Sequence, residues 1–414
     1  MDQKRSDPPY GSRSYWQRTV SFPTFTSDLP AQADVVVIGG GLLGATTCYW
    51  AARAGCSVVL LERASLAAGA TGRNGGFISI GPDEAYVQAI ARLGHETART
   101  ILDVTLESRT LLRHLLGEED IACDYREPGH LHLALEEDER NMFAQSRLAL
   151  QQDGVSTEVL EQKQVQELIH TPLGSHILGA WFVPQGALVN PVSFVQGVVG
   201  AAQRYGAIPV AAEVLQLSRD GEGIRLQTTQ GILHADRVIV ATNAWISDLL
   251  PQLKEIITPV RGQVLAYQPL PPLFSPGITV DLAGSEQYWQ QTPDGTILLG
   301  GCRSAAEGKD VGVRSSQPTE AVQHALEQVF PHLFPHLSSL HVEQRWAGLM
   351  AFTPDLLPIA DRVPDFPNVW VVGGFCGHGM PYGLRFGQLL AEATTKDLIP
   401  SALLPFRLNR ETLQ

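Results

Sequence analysis

Three glycines and one acid carry the first chemical signal in this chain. Gly39, Gly41 and Gly44 stand at G-x-G-x-x-G spacing, and Glu62 follows about twenty residues on. In that pattern the first glycine permits a tight turn and the second lets backbone approach a pyrophosphate. The third lets a helix pack closely on the preceding strand, and the acid accepts the ribose hydroxyls. A second glycine cluster, "GGFCGHGM" at 373–380, encloses His378. Metal and thiol chemistry lack their patterns. The five cysteines (Cys48, Cys56, Cys123, Cys302 and Cys376) include no C-x-x-C, and no H-E-x-x-H occurs among the twelve histidines. No disulfide framework or zinc site is therefore expected, and the cysteines read as reduced core residues of a cytoplasmic protein. His332, His336 and His341 read as surface and loop residues.

The elements around the first glycines fit a nucleotide unit. Val35 to Ile38 is a short β-branched run suited to a buried parallel strand. Leu42 and Leu43 follow the glycine turn, the small residues from Ala45 to Ala54 continue as a helix, and Gly55 stops it. Ser57 to Leu61 forms the next strand and ends at Glu62 and Arg63. The helix N-terminus offers amides and a positive dipole to phosphate. The loop Ala67 to Gly76, "AAGATGRNGG", leaves the second strand at the sheet edge where ligands bind. Thr71, Gly72, Asn74 and Gly75 could present amides and a hydroxyl there, with Arg73 in their midst.

The chain returns to this unit twice. The stretch from Ser193 reads as helix, strand and hairpin, then a buried strand from Arg237 to Ala241, with Val214 at a strand end beside the adenine side. Near the C-terminus, Val369 to Val372 reads as a strand, 373–379 as a glycine turn and 384–395 as a helix. A nicotinamide site is normally one contiguous block, whereas an extended FAD is gripped from both chain ends. The amides and dipole of the second loop would then favour negative charge on the reduced flavin. The intervening stretches 83–170 and 259–340 read as a substrate domain, and 1–82, 171–258 and 341–414 as a discontinuous FAD-binding domain.

Composition sets the outer bounds. The chain has 414 residues, 44% hydrophobic and 18% charged, with a net charge of −13. This charge argues against a nucleic-acid partner and against an anionic membrane surface. No apolar run reaches membrane-spanning length. The N-terminal arm is expected to dock through Tyr15, Trp16 and Phe22.

"GATGRNGG", "CDYREPG", "VIVATNAW", "RWAG" ahead of "LLPIADR", and "GFCGHGM" resemble the D-amino-acid oxidase superfamily of FAD-dependent oxidoreductases. Within it, the likeness is greatest to the γ-glutamylputrescine oxidase branch beside glycine and sarcosine oxidases, over roughly residues 15 to 400. The resemblance implies an α/β fold: a glutathione-reductase-like, three-layer FAD-binding domain with an inserted α+β substrate domain on an antiparallel sheet. It implies that a hydride passes from the α-carbon of an amine or amino acid to flavin N5, leaving an imine that hydrolyses. Oxygen or another acceptor takes the electrons, and a homo-oligomer is a possible state. Cofactor contacts carry over to Gly39, Gly41, Leu42, Leu43, Gly44, Glu62, Arg63, Thr71, Gly72, Arg73, Asn74, Gly75, Val214 and Ala241. At the far end they fall on Gly348, Gly374, Gly377, His378, Gly379 and Met380. Arg73, His378, Tyr288 and Arg303 are the candidates at the reacting centre.

Two departures bear on function. Sarcosine oxidases tether FAD through a cysteine where this chain has Gly348, and the 67–76 loop lacks the histidine that other relatives use, so the FAD is expected to be non-covalent. Relatives that bind an α-carboxylate often carry an arginine where this chain has Gln290 or Gln291; a glutamine amide does not match a carboxylate as a guanidinium does. Arg261, Arg303 and Arg345 are the substitutes to test. Tyr288, Trp289 and Gln290, with Tyr267 and Trp346, are expected to form an aromatic, neutral substrate wall. A flavin monooxygenase or halogenase, or a non-catalytic FAD-binding subunit of a heteromeric dehydrogenase, are the alternative readings.

Overall fold

A computed structural model describes residues 13–22, 25, 28–364 and 366–413. The β-branched runs of the sequence assemble into one parallel core. Gln32–Ile38 pairs in parallel with Val58–Glu62 on one side and Gly231–Val240 on the other. Ile208–Ala211 extends one edge beside Val58–Glu62, and Phe366–Gly373 lies parallel to Gly231–Val240 on the other side. The hairpin Val214–Asp220 and Gly223–Thr228 and the strand Ile359–Val363 complete eight strands. Val36, Val37, Leu60, Val238 and Ile239 are fully buried, as a sheet covered on both faces requires.

Helices Leu42–Arg53 and Gly383–Lys396 join the two ends of the chain beneath this sheet. Gly383 and Gly387 admit Leu42 and Thr46 where any Cβ would collide, and Thr46 Oγ1 donates to the Gly383 carbonyl at 2.9 Å. Small residues on both helices thus bring the two glycine turns side by side.

A second eight-stranded sheet is mixed but mostly antiparallel. Its order runs Val342–Phe352, Thr258–Tyr267, Ile297–Gly301, Ser285–Gln291, Gly277–Leu282, His130–Ala134, Gly179–Val183 and Glu158–Glu161. One face buries Leu131, Val280, Trp289 and Leu299 with the helix Glu320–Leu333. Strand pairing corrects two boundaries. Gly179–Val183 and Val342–Phe352 fell in the FAD-binding part by the sequence division at 171 and 341, yet both pair within the second sheet. Their hydrogen-bond partners, not the neighbouring motifs, decide membership.

Candidate active site

A cavity of about 760 Å³ lies between the two sheets, with walls from both. At one end Gly39 and Gly41 line it with Leu42 and Leu43. Gly39 has φ +109° and would place a Cβ 2.8 Å from the Ala241 carbonyl oxygen. Gly44 lies off the cavity, its α-carbon pressed on the Gly39 carbonyl so that no side chain fits. The helix opens on Gly41, which has no side-chain cap, and the Leu42 amide donates to Thr71 Oγ1 at 3.1 Å.

Glu62 closes this end. Its Oε2 accepts from the Gly40 amide at 2.7 Å and its Oε1 from the Ala64 amide at 2.8 Å. Burial pushes this carboxyl up, the two amides and Arg63 oppose it, and the net direction is upward. Arg63 pairs with Glu213 at 3.0 Å and stacks over Trp245 at 4.7 Å, with Val214 and Ala241 alongside in the wall.

The loop 67–76 forms the floor. Thr71, Arg73, Asn74 and Gly75 line the cavity, whereas Gly72 is packed on the Ala67 carbonyl. Arg73 is buried and donates to the carbonyls of Ala68 at 2.9 Å and Ala347 at 2.8 Å. That spends much of the guanidinium on backbone. Gly348 lets the Arg73 stem pass where a Cβ would come within 2.9 Å. The N-terminal arm is the loop's other support. Trp16 Nε1 donates to the Asn74 carbonyl at 2.7 Å, Gln17 Nε2 to that of Ala67 at 3.0 Å, and Ser14 Oγ to that of Gly72. Phe22 packs on the core as expected of the arm, and Tyr15 OH donates to Asp294 at 2.8 Å. The roles of Ser14 and Gln17 were missed; the cue was their place beside the aromatic residues Tyr15 and Trp16.

At the opposite end Gly377, His378, Gly379 and Met380 line the cavity. Gly374, at φ +73°, sits behind them, and its amide donates to Asn243 Oδ1. The amides of Leu384 and Arg385 at the helix start donate to Ser108 Oγ, so the loop, more than the helix end, faces the cavity. His378 Nδ1 stands 2.8 Å from Asp83 Oδ1, and its Nε2 3.2 Å from the Gly81 carbonyl oxygen. Cys376 is the one sequence-flagged thiol that lines the cavity; burial raises its pKa, and the sulfur lies 3.3 Å from the Gly374 carbonyl.

The second sheet supplies the roof through His130, His132, Thr279, Asp281, Glu286 and Tyr288, and Arg303 lines the cavity with them. Burial drives the His130 pKa down to about 3, aided by the charges of His132 and His378, so its ring is neutral. Asp281 and Glu286 are cross-strand partners. Burial, then the charges of Asp83 and Asp281, raise the Glu286 carboxyl well above its ordinary value, against a pull from Arg303.

The expected aromatic wall needs correction. Alternation along Ser285–Gln291 turns Tyr288 to the cavity and Trp289 into the core. Tyr267 stacks on Phe330 in that core, 5.4 Å between centroids, and Trp346 is buried with Nε1 donating to the Arg73 carbonyl. Gln290 is buried; its amide donates to the Gly75 carbonyl, and its oxygen accepts from Arg126 at 2.8 Å. It positions the loop rather than meeting substrate. Arg261 is in a buried pair with Asp310 at 2.7 Å and Arg345 pairs with Glu327 at 2.8 Å, both away from the cavity.

These parts fit one extended dinucleotide. A helix start opened by glycine and an acceptor-only carboxylate occupy one end, a backbone-rich loop the middle, and a second glycine loop the other. The model of the FAD dependent oxidoreductase family matches residues 34–393, and the chain belongs to that family. FAD is its cofactor. Over 376 residues it is 26% identical to the gamma-glutamylputrescine oxidoreductase of Escherichia coli, covering 88% of this chain and 84% of that protein. Over 365 residues it is 26% identical to a glycine oxidase of Pseudomonas aeruginosa, covering 86% and 93%. In fold it resembles the glycine oxidase from Geobacillus kaustophilus, with TM-score 0.79 at 22% identity over 92% of this chain and all of that one. Among the described residues no helix is long and apolar enough to cross a membrane.

Proposed function

We propose that this enzyme oxidises the C–N bond of a secondary or longer-chain amine bearing a carboxylate remote from the reacting carbon, in preference to glycine or D-alanine. Bound FAD supplies the two-electron acceptor. The protein's residues bind the amine, exclude water and set the charge around it. Electrons leave to oxygen or another acceptor.

The observation that carries this reading is the commitment of Gln290 to the Gly75 carbonyl and Arg126. No cation faces the cavity from that position. Arg73, the other arginine near the loop, is buried against the Ala68 and Ala347 carbonyls. Arg303 lines the same cavity, 5.0 Å over the Phe352 ring, and is the cation left for a carboxylate remote from the reacting carbon. Glu286 and the Tyr288 ring suit an ammonium or its alkyl body, a cation beside a ring contributing about 0.5–2 kcal/mol.

Stopped-flow reduction of the enzyme with matched amine and amino-acid pairs tests the reading. The long amine with a remote carboxylate is expected to bleach the flavin band faster. If glycine or D-alanine reduces it about tenfold faster, the substrate assignment fails. If no amine or amino acid bleaches it, C–N oxidation itself fails.

A further inference from the structure

We propose that Asp83 holds His378 as an imidazolium, and that this fixed cation in the second glycine loop opposes the negative charge left on the bound cofactor by two-electron reduction. The inference rests on FAD binding and not on the identity of the substrate.

The geometry is that of a ring with an acceptor at each nitrogen. Nδ1 lies 2.8 Å from the Asp83 carboxylate and Nε2 lies 3.2 Å from the Gly81 carbonyl. A neutral imidazole carries one N–H and would point a lone pair at one of these oxygens; the imidazolium satisfies both. Gly81 has φ +75°, and this turn carries its carbonyl and Asp83 to the ring together. His130, from the strand His130–Ala134, is neutral, and the Tyr382 ring stands edge-on at 6.1 Å. Glu84, beside Asp83, is paired with Arg92. Asp83 and Arg303 act with opposite signs on Glu286 in the roof, and burial raises the Cys376 thiol in the same loop. Burial disfavours the charged ring, yet the Asp83 carboxylate and the Gly81 carbonyl outweigh it, leaving His378 above the ordinary histidine range. The charge is therefore present at low and neutral pH and is lost as pH rises through that raised value.

Asp83 is in this view a positioning residue, since it acts through His378. Its side chain is largely exposed, so Asp83→Asn removes the carboxylate without opening the core. Sulfite binding to the oxidised cofactor, read as loss of visible absorbance, reports positive charge near the flavin and needs no substrate. The dissociation constant is measured from acid to alkaline pH for the wild type, Asp83→Asn, Asp83→Glu and His378→Gln, and each variant is compared with wild type at the same pH. At neutral pH, Asp83→Asn is expected to bind sulfite several-fold more weakly than wild type, because a lower histidine pKa leaves a smaller fraction of the ring charged there. At acid pH Asp83→Asn should bind sulfite at least as tightly as wild type, because the ring is then protonated in both and the variant lacks the opposing carboxylate. His378→Gln should stay weak at every pH, and Asp83→Glu should restore most of the wild-type profile.

The proposal is overturned if Asp83→Asn follows wild type across the whole range, or if His378→Gln binds sulfite as tightly as wild type. Should His378→Gln not retain FAD, the Asp83→Asn and Asp83→Glu profiles decide alone. A substrate preference opposite to that proposed above leaves these profiles unaffected, so the two readings fail separately.

Discussion

Replacing Glu62 tests the nucleotide end of the site most directly. Its carboxylate is bracketed by two donors, the Gly40 amide at 2.7 Å and the Ala64 amide at 2.8 Å, and each oxygen keeps a further lone pair toward the cavity. A hydrogen bond to a charged group contributes about 1.5–3 kcal/mol, and tenfold in affinity corresponds to about 1.4 kcal/mol. Glu62→Ala is therefore expected to weaken FAD binding by about tenfold to 150-fold. Glu62→Gln should do no better despite its shape: its amide has one oxygen for two backbone N–H groups, so its own NH₂ must face one of them. The assay is quenching of FAD fluorescence on titration with apoprotein, with the thermal midpoint of each apoprotein measured in parallel. A dissociation constant within about twofold of wild type would refute the ribose role. If the apoprotein midpoint falls while FAD affinity holds, Glu62 only staples the turn to the strand end.

Acid precipitation should release all the flavin to the supernatant, because Gly348 occupies the tether position and burial keeps the Cys376 thiol protonated; colour in the pellet would point to a covalent link through Cys376. Gly44→Ala should abolish FAD incorporation, measured as flavin per chain, since the new Cβ meets the Gly39 backbone carbonyl and neither strand nor helix can yield; full flavin content would refute the packing argument. Burial raises the Asp355 carboxyl, but Arg410, at 2.6 Å, and Thr412 outweigh it, and its pKa is held below the usual value. The stability from this pair is present above the unfolded pKa of about 4 and is lost as pH falls through the depressed native value. Thermal midpoints measured between about pH 5 and 2 should therefore fall less steeply for Asp355→Asn than for wild type, and equal slopes would remove the pair from the acid response.

What the sequence determined by itself is local in its physics. A β-branched run, a glycine turn and a small-residue helix specify themselves within a few residues, so the two strand–turn–helix units, with Glu62 at a strand end, were legible. The tertiary structure decided which faces of the second sheet see the cavity. Tyr288 and Trp289 are adjacent and both aromatic, and alternation guarantees that they part; only the helix Glu320–Leu333, which covers one face, makes Trp289 core and Tyr288 wall. Gln290 shares the parity of Tyr288, yet Gly75 and Arg126 claim its amide. The ion pair of Asp83 with His378 was equally invisible, since neither residue has a local pattern that names its partner. Partners far apart in the chain are chosen by strand register and helix packing, which bring side chains together without leaving a mark in the spacing of either segment.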